Sequence, residues 1–323
     1  MAASTEPAIF DDRVALLRAR ERAADFSRAW RRRDDVGAIE ARIGAAATSG
    51  GVAVQDALVA LFEEGGASGG WLRPMLGALV AGLRADPLFA PPLLALGDEI
   101  QRGLLLIQTE AASIAVARIS AAALARRGEG ASRAVVLSGA LGALHIVEPG
   151  GARLRWWRAE ATDAGFSQAA PTRLQDMGIM PLTAGQTVRV DGRTQGYTIE
   201  PPARDMLVMR AAVHLDRAPF QREYGTADGR LIAASETRDE ASRMRMLLTM
   251  LRSIGCSTAH AAFEAALDEP EFELRWHAMR EWLLLDPEAA LPRLAQLAAN
   301  DPHAEVRAAA SSTLGRIARR RAA

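Results

Sequence analysis

The spacing of apolar residues divides the chain into three stretches. Residues 1–98 place apolar side chains at helical intervals, as in VALLRARERAADFSRAW, and glycine-rich breaks separate the helical segments. Residues 99–238 change to short alternating runs, such as SIAVARI and QTVRVDG, between turn signals. Residues 239–323 return to the helical period. The pattern predicts an α+β protein with an N-terminal helical domain, a central antiparallel sandwich or barrel, and a C-terminal helical domain.

The C-terminal stretch contains an internal repeat. PEFELRWHAMREWL aligns with PHAEVRAAASSTLG, so that Arg275 corresponds to Arg307, and 307 minus 275 gives an offset of 32 residues. A weaker copy puts Arg243 another 32 residues upstream, and a second amphipathic helix, PEAALPRLAQLAAN, lies between the two clearer copies. Repeated helix pairs of this kind stack on their neighbours to bury a continuous core.

The segment NDPHAEVRAAASSTLGRI resembles a HEAT repeat, with Asp-Pro, then Val-Arg, then alanines and a leucine on one stacking face. The resemblance extends over about the last 80 residues, although the repeat is shorter than the usual period of about 40 residues or more. It implies a HEAT-like helix stack that binds a protein or a peptide on a concave surface, or that serves only as a packing platform.

One helix of this stack carries candidate partner-binding residues. In RWHAMREWLLLD and the residues before it, helical spacing puts Phe272, Trp276 and Met279 on one stripe, which we expect to be core. Arg275 and Trp282 lie on a neighbouring face. They are either structural or the anchors of a peptide groove, because arginine and tryptophan are frequent hot spots of binding.

The central stretch resembles a cupin, a small double-stranded jelly-roll barrel. Counted from Gly150, the His-x-His positions of the first cupin motif fall on Trp156 and Arg158. Gly185 fits the opening of the second motif, whose histidine position falls on Gln195 or on the glycine after it. The family implies a metal held by imidazoles and a carboxylate, but indole and guanidinium groups cannot bind a metal. We therefore expect a jelly-roll barrel without the metal and without any other cofactor.

Trp156 and Arg158, which stand at the two histidine positions of the first motif, have two possible roles. Alternation along a strand places Trp156 and Arg158 on one face, which we expect to point into the barrel mouth. There they would bind a small organic anion, with Gln195 as a further ligand-binding residue, because an arginine beside an aromatic ring receives carboxylates well. In the structural interpretation, Trp156 fills the barrel and Arg158 reaches its rim.

Three other residues of the central stretch can carry chemistry. Arg222 and Tyr224 share a strand face, where Arg222 is a further candidate ligand-binding residue and Tyr224 a candidate proton donor. A surface cross-strand contact is the simpler interpretation of this pair. His145 lies on a predicted strand and is either a titratable catalytic group or a structural histidine. The candidate catalytic residues are therefore His145, Arg158 and Tyr224.

Composition limits the classes of partner. The 39 basic and 39 acidic residues give no net charge, so no field of one sign favours nucleic acid or an anionic membrane. The single cysteine, Cys256, excludes a disulfide framework, and the five histidines show no metal-binding spacing. The N-terminus shows no secretory signal, and no apolar run is long enough to span a membrane. We expect a cytoplasmic protein, and self-association stays open.

Two main functions remain in consideration for domains placed at 1–98, 99–238 and 239–323, and a weaker third is a metal enzyme whose ligands come from distant histidines and acids. The first is a non-catalytic protein- or peptide-binding adaptor, with a metal-free barrel that is structural or holds a small organic anion. The alternative is a metal-independent barrel enzyme, such as an isomerase, an epimerase or a peptide-modifying enzyme, that uses His145, Arg158, Gln195 and Tyr224. The two differ in whether a pocket brings an arginine together with a titratable group.

Overall fold

The structure is a computed structural model that describes residues 13–65, 71–86, 89, 93–128, 134–162, 166, 173–237 and 239–322. The chain forms two compact units. The first, here called the sheet unit, comprises Met1–Glu160, Arg173–Arg217 and Glu223–Ile232. The second, here called the stack unit, comprises Ala161–Thr172, Ala218–Arg222 and Ala233–Ala323.

The chain begins with four helices, which are α1 Arg13–Arg31, α2 Asp34–Ala47, α3 Gly51–Gly65 and α4 Leu72–Ala85. The strands and a single short helix follow. They are β1 Ala95–Gly97, β2 Gln101–Gln108, β3 Ala112–Ile119, α5 Ala121–Gly128, β4 Ala134–Leu137, β5 Leu141–Glu148, β6 Arg153–Arg158, β7 Gln175–Pro181, β8 Thr187–Asp191, β9 Gln195–Glu200, β10 Met206–Val213, β11 Phe220–Gly225 and β12 Leu231–Glu236.

The strands form three sheets. The largest has the order β1-β2-β3-β10-β5-β8, and two smaller sheets have the orders β12-β11-β4 and β7-β6-β9. Adjacent strands of the six-stranded sheet, and β6 with its two neighbours, pair antiparallel. Helices at both ends of the chain and antiparallel strands between them confirm the predicted α+β class.

Each face of the six-stranded sheet packs against a different layer. On β5, Leu141 and Ala143 pack with the apolar side chains of α2, α3 and α4. Leu144 and Ile146 point the other way and pack with Leu154 of β6 and other aliphatic side chains. Because side chains alternate along a strand, the sheet lies between the helical layer and the β7-β6-β9 sheet. The space between those two sheets is an apolar core.

Polar contacts fix the α3 helix to the sheet and to the loop after β10. Gln55 Nε2 donates to the carbonyl oxygens of Gly142 and Val190, at 2.7 and 3.0 Å. The Gly51 N–H at the start of the helix donates to Asp216 Oδ2 at 2.6 Å. The first contact satisfies the buried amide of Gln55, and the second satisfies an N–H that the helix itself leaves without a partner.

The stack unit continues with α6 Asp239–Ser253, α7 His260–Ala266, α8 Phe272–Leu285, α9 Pro287–Asn300 and α10 Ala304–Ala322. The repeat seen in the sequence makes α6, α8 and α10 the first helices of successive repeats. The α9 helix begins with a capping pair, because Asp286 Oδ1 accepts from the Ala289 N–H at 3.1 Å and Pro287 follows at the first helical position.

The repeated arginines make the same contacts in both copies. Arg275 Nη1 donates to the carbonyl oxygens of Glu269 and Pro270, at 2.9 and 2.8 Å. Arg307 Nη1 donates to the carbonyl oxygens of Asp301 and Pro302, at 2.6 and 2.9 Å. The acceptors lie six and five residues before the arginine in each case, so each arginine ties its helix to the loop that precedes it.

Arg275 also joins two repeats through a buried ion pair. Its Nε and Nη2 donate to the two carboxylate oxygens of Asp301 at 2.9 and 2.8 Å, and both side chains are buried. Burial alone raises the pKa of Asp301, but hydrogen bonds from Arg275 and the His303 N–H outweigh it and hold that pKa below its usual value. Asp301 is therefore an ionised, paired carboxylate.

We expect Arg275→Met to lower the free energy of unfolding by about 3–5 kcal/mol, because it leaves the buried carboxylate of Asp301 without its counter-charge. The matched change Arg307→Met should cost roughly 1 kcal/mol, since Arg307 contacts carbonyl groups and has no ion pair among the described residues. Urea unfolding, followed by the circular dichroism signal of the helices, measures the free energy of unfolding of both variants. Equal losses of stability in the two variants would contradict the assignment of a buried ion pair to Arg275.

The depressed pKa of Asp301 also predicts an acid dependence. A carboxyl group whose pKa is lower in the folded state contributes stability above its unfolded pKa, and that contribution is lost as the pH falls through the folded pKa. The urea midpoint of the wild type should therefore fall more steeply between about pH 5 and 3 than that of Asp301→Asn, which lacks the titrating group. Parallel curves would show that this carboxylate does not titrate as described.

Candidate protein-binding groove on the helix stack

A groove of about 590 Å³ crosses the first helices of the three repeats. The α8 helix supplies its centre, and α6 and α10 supply its two sides. The lining residues are Ala234, Ser235, Arg245, Phe272, Glu273, Trp276, His277, Arg280, Glu305, Val306 and Ala309.

Helical spacing explains why α8 presents these side chains. Glu273, Trp276, His277 and Arg280 are three or four residues apart and therefore share one face of the helix. The opposite face, which includes Ala278 and other apolar residues, is buried in the stack. The helix thus has a core face and a groove face.

The groove has an apolar floor and charged walls. Phe272 and Val306 are buried, and the Phe272 ring stacks on the imidazole of His303 with ring centroids 3.6 Å apart. Trp276 is half-buried, so part of its indole faces the groove. The Arg245 and Glu273 side chains form an ion pair of 3.7 Å along one wall.

Arg280 is the exposed cation of the groove. It has no ion pair among the residues that the structure describes, in contrast to Arg245. An aromatic ring beside an exposed guanidinium is a suitable receptor for a segment that carries an apolar side chain next to a carboxylate.

His277 fixes the groove face of α8 to α6. Its Nε2 lies 3.0 Å from Thr249 Oγ1 and 3.2 Å from the carbonyl oxygen of Arg245. Burial, more than the neighbouring charges, lowers the pKa of His277. The imidazole is therefore neutral near pH 7 and acts as a structural link.

Arg275 and Trp282, the two candidate partner-binding residues, lie inside the stack. The guanidinium nitrogens of Arg275 donate hydrogen bonds to Asp301 and to backbone carbonyl oxygens. Trp282 is buried, with its ring stacked on Phe263 at 6.2 Å. Sequence reasoning also placed Trp276 in the core stripe. The structure corrects this, because the groove between α6, α8 and α10 leaves Trp276 partly open.

In the sheet unit, Trp156 and Arg158 have different surroundings. Trp156 is half-buried and meets the Tyr197 ring edge-on, with centroids 5.6 Å apart, against the apolar core between the sheets. Arg158 is exposed, and the β6–β9 register places Gln195 opposite it. The Gln195 side chain accepts a 3.4 Å hydrogen bond from the Asp191 N–H.

The positions that correspond to cupin metal ligands do not fit a metal. The Trp156 indole is packed against Tyr197, and a guanidinium such as that of Arg158 offers only donors. A Cβ atom at Gly196 would lie 2.8 Å from the carbonyl oxygen of Val136, so no histidine fits there. Within the described ranges, no group of three or more His, Cys, Asp or Glu residues could hold a metal ion.

Trp157 lies on the face of β6 opposite to Trp156 and packs on strands. It lies in an apolar cluster with Val135, Leu137 and Tyr224, and its Nε1 donates to Thr198 Oγ1 at 3.2 Å. Tyr224 and Arg222 are fully buried. The interpretation of this pair as a surface contact is therefore wrong.

His145 is buried on the helix-facing side of β5. Its ring contacts Phe62 of α3, with centroids 5.7 Å apart, and its Nδ1 lies 2.9 Å from Thr187 Oγ1. Burial lowers the pKa of His145. The structure thus separates the three candidate catalytic groups, since His145 faces the helices, Tyr224 lies in the cluster around Trp157, and Arg158 is exposed.

The HEAT-repeat family model matches residues 290–320, which lie within α9 and α10. The last two helices, α9 and α10, are HEAT-like. No curated protein matches the chain. None of the described helices is both long enough and apolar enough to cross a membrane.

Several solved structures are similar to part of the chain. They include ectoine synthase from P. lautus, at 13% identity over 38% of this chain and 69% of that one, with a TM-score of 0.22. Hydroquinone 1,2-dioxygenase is 11% identical over 34% of this chain and 61% of its own, with a TM-score of 0.24, so the chain spans less than two thirds of its length. A cupin-superfamily sugar phosphate isomerase from Silicibacter pomeroyi is 10% identical over 43% and 77%, with a TM-score of 0.24.

The two α8 tryptophans should differ in their effect on stability. Trp282→Ala removes a buried ring and should lower the free energy of unfolding by about 3–5 kcal/mol, whereas Trp276→Ala should cost roughly 1 kcal/mol because its ring is already partly in water. Urea unfolding of the two variants measures the difference, and a larger loss for Trp276→Ala would contradict the assignment of core and groove faces.

Proposed function

We propose that the protein is a non-catalytic adaptor that binds a segment of another protein in the groove of its HEAT-like stack. The observation that carries this proposal is the pairing of the half-buried Trp276 with the exposed Arg280 over the floor formed by Phe272 and Val306. The match of residues 290–320 to a HEAT repeat supports a protein-interaction role.

The groove suits a short peptide segment. Its volume of about 590 Å³ is of the size that accepts a few side chains. The floor supplies apolar surface, and Trp276 and Arg280 are residue types that dominate binding energy at interfaces. Arg280 selects a carboxylate on the partner, while Glu273 and Glu305 along the walls disfavour further acidic residues close by.

The sheet unit has a supporting role in this proposal. Its apolar core between two sheets contains the Trp156 side chain, and the residues of the unit that the structure describes form no cluster that could hold a metal ion. Arg158, at the end of β6 and opposite Gln195, is an exposed cation that would hold a small carboxylate weakly at most.

The metal-independent enzyme receives no specific support. Such an enzyme needs a titratable group within hydrogen-bond reach of the cation that holds its substrate. His145 and Arg158 do not provide this, because one is buried under the helical layer and the other is exposed on β6.

Peptides selected from a random phage-displayed library against the full chain, and then titrated by calorimetry, test the proposal. Trp276→Ala should weaken the selected peptides at least about tenfold, because loss of an aromatic anchor costs about 1.4 kcal/mol or more. Arg280→Glu should weaken those that contain a carboxylate.

Leu284→Ala is the matched control, since Leu284 is an exposed apolar residue of α8 that does not line the groove. Its affinity for the selected peptides should equal that of the wild type. If Trp276→Ala and Arg280→Glu bind as tightly as this control, the groove is not the binding site.

A further inference from the structure

The link between His277 and α6 uses only one nitrogen of the imidazole ring. Nε2 lies 3.2 Å from the carbonyl oxygen of Arg245, and a carbonyl oxygen only accepts. In the neutral ring the hydrogen is therefore on Nε2 and the lone pair is on Nδ1. Nδ1 has no hydrogen-bond partner among the described residues, yet it is not among their buried polar atoms without a partner, so it is open to solvent.

This open nitrogen lies beside the exposed cation of the groove. His277 and Arg280 line the groove from one face of α8, and residues three apart on a helix have their Cβ atoms about 5–6 Å apart. Because Nε2 is turned to α6, Nδ1 is on the side of the ring that faces the groove. A carboxylate that the Arg280 guanidinium binds is then within reach of Nδ1 as well.

The protonation state of His277 decides whether Nδ1 can bind a carboxylate. In the neutral ring Nδ1 is an acceptor, and its lone pair repels the carboxylate oxygens. In the imidazolium ion both nitrogens carry hydrogen, so Nδ1 donates a charge-assisted hydrogen bond while Nε2 keeps its bond to α6. The link between the two helices is therefore compatible with both states of the ring.

Charged side chains around the ring come from three helices. They are Arg245 of α6, Glu273, Arg280 and Glu281 of α8, and Glu305 of α10. The two arginines oppose protonation of the ring, and Glu281, which is paired with Arg252 of α6, favours it. The β12 residues that line the groove, Ala234 and Ser235, carry no charge. Burial has the largest effect and lowers the pKa of His277 in the free protein, so a negative charge at Nδ1 acts against it.

We propose that His277 is a second ligand of the partner's carboxylate, beside Arg280, and that binding takes up a proton. This inference rests on the proposed function of the groove and adds the charge state in which the groove binds. Carboxylate and imidazolium stabilise each other, and linkage makes the effect reciprocal. The affinity for a carboxylate-containing segment therefore rises as the pH falls and the ring of the bound state is protonated. The gain should be about tenfold, because an opposite charge at hydrogen-bonding distance changes the proton affinity of a group by that factor or more.

Calorimetric titrations of the full chain at about pH 7.5, 6 and 5 test the inference, in the range where histidine titrates and a carboxylate stays ionised. The probes are a selected peptide with a single carboxylate and the same peptide with an amide in its place. Two buffers of different ionisation enthalpy give the number of protons taken up on binding. The wild type should bind the carboxylate peptide about tenfold more tightly at the lowest pH, with proton uptake, and the amide peptide should show no gain.

His277→Gln removes the titrating group and keeps a side-chain N–H that can donate to the carbonyl oxygen of Arg245. This variant should bind the carboxylate peptide without a gain at low pH and without proton uptake. His260→Gln is the matched control, because His260 is a partly exposed histidine of α7 that does not line the groove. It should keep the full pH dependence of the wild type.

Proton NMR of the wild type gives a readout that does not depend on the folding of a variant. The Cε1–H signal of His277 should titrate at a higher pH with saturating carboxylate peptide than without it. Equal titration midpoints, or a pH-dependent affinity that His277→Gln retains, would overturn the inference and leave the groove as a binding site. Peptide binding that neither Trp276→Ala nor Arg280→Glu weakens would overturn the proposed function and this inference together.

Discussion

The buried ion pair between Arg275 and Asp301 is the contact on which the geometry of the stack depends. It joins the second repeat to the third, and the remaining donors of Arg275 hold the loop before α8. Two charges in the interior are tolerated only when their geometry is good and their other hydrogen bonds are satisfied. Here both conditions are met, because Asp301 also accepts the His303 N–H. The pair thereby fixes α8 relative to α10, and the groove residues Trp276 and Val306 come from those two helices.

Features set by local rules could be predicted from the sequence. Gly150 and Gly185, the glycines that open the two motifs, both have positive φ, and a side chain at Gly150 would clash with the backbone of Arg204. The 32-residue spacing of Arg275 and Arg307 corresponds to matching backbone contacts, because each arginine binds carbonyl groups of its own preceding loop. These predictions needed only the residues close by in the chain.

Features set by tertiary packing could not be predicted in the same way. Helical spacing shows that Trp276 and Trp282 lie on different faces of α8, but which face is covered depends on where α6, α7 and α10 lie. Similarly, alternation shows that Arg222 and Tyr224 share a face, but not that this face is buried. The β5 strand has two covered faces, one under helices and one against strands. His145 lies on the helix-covered face, and Trp156 of β6 packs into the core on the other side, which spacing in the sequence does not reveal. The groove had one sequence signal, the cluster of aromatic and charged residues in RWHAMREW.

We propose that partner binding takes place on the stack and not on the strands. Hydrogen–deuterium exchange of the full chain, with and without a saturating peptide selected for binding, tests it most directly. The account predicts slower exchange in residues 272–280 and at the start of α10, and unchanged exchange in β6 and β9. Slower exchange confined to β6 and β9, with α8 unaffected, would contradict the account and would place binding beside Arg158.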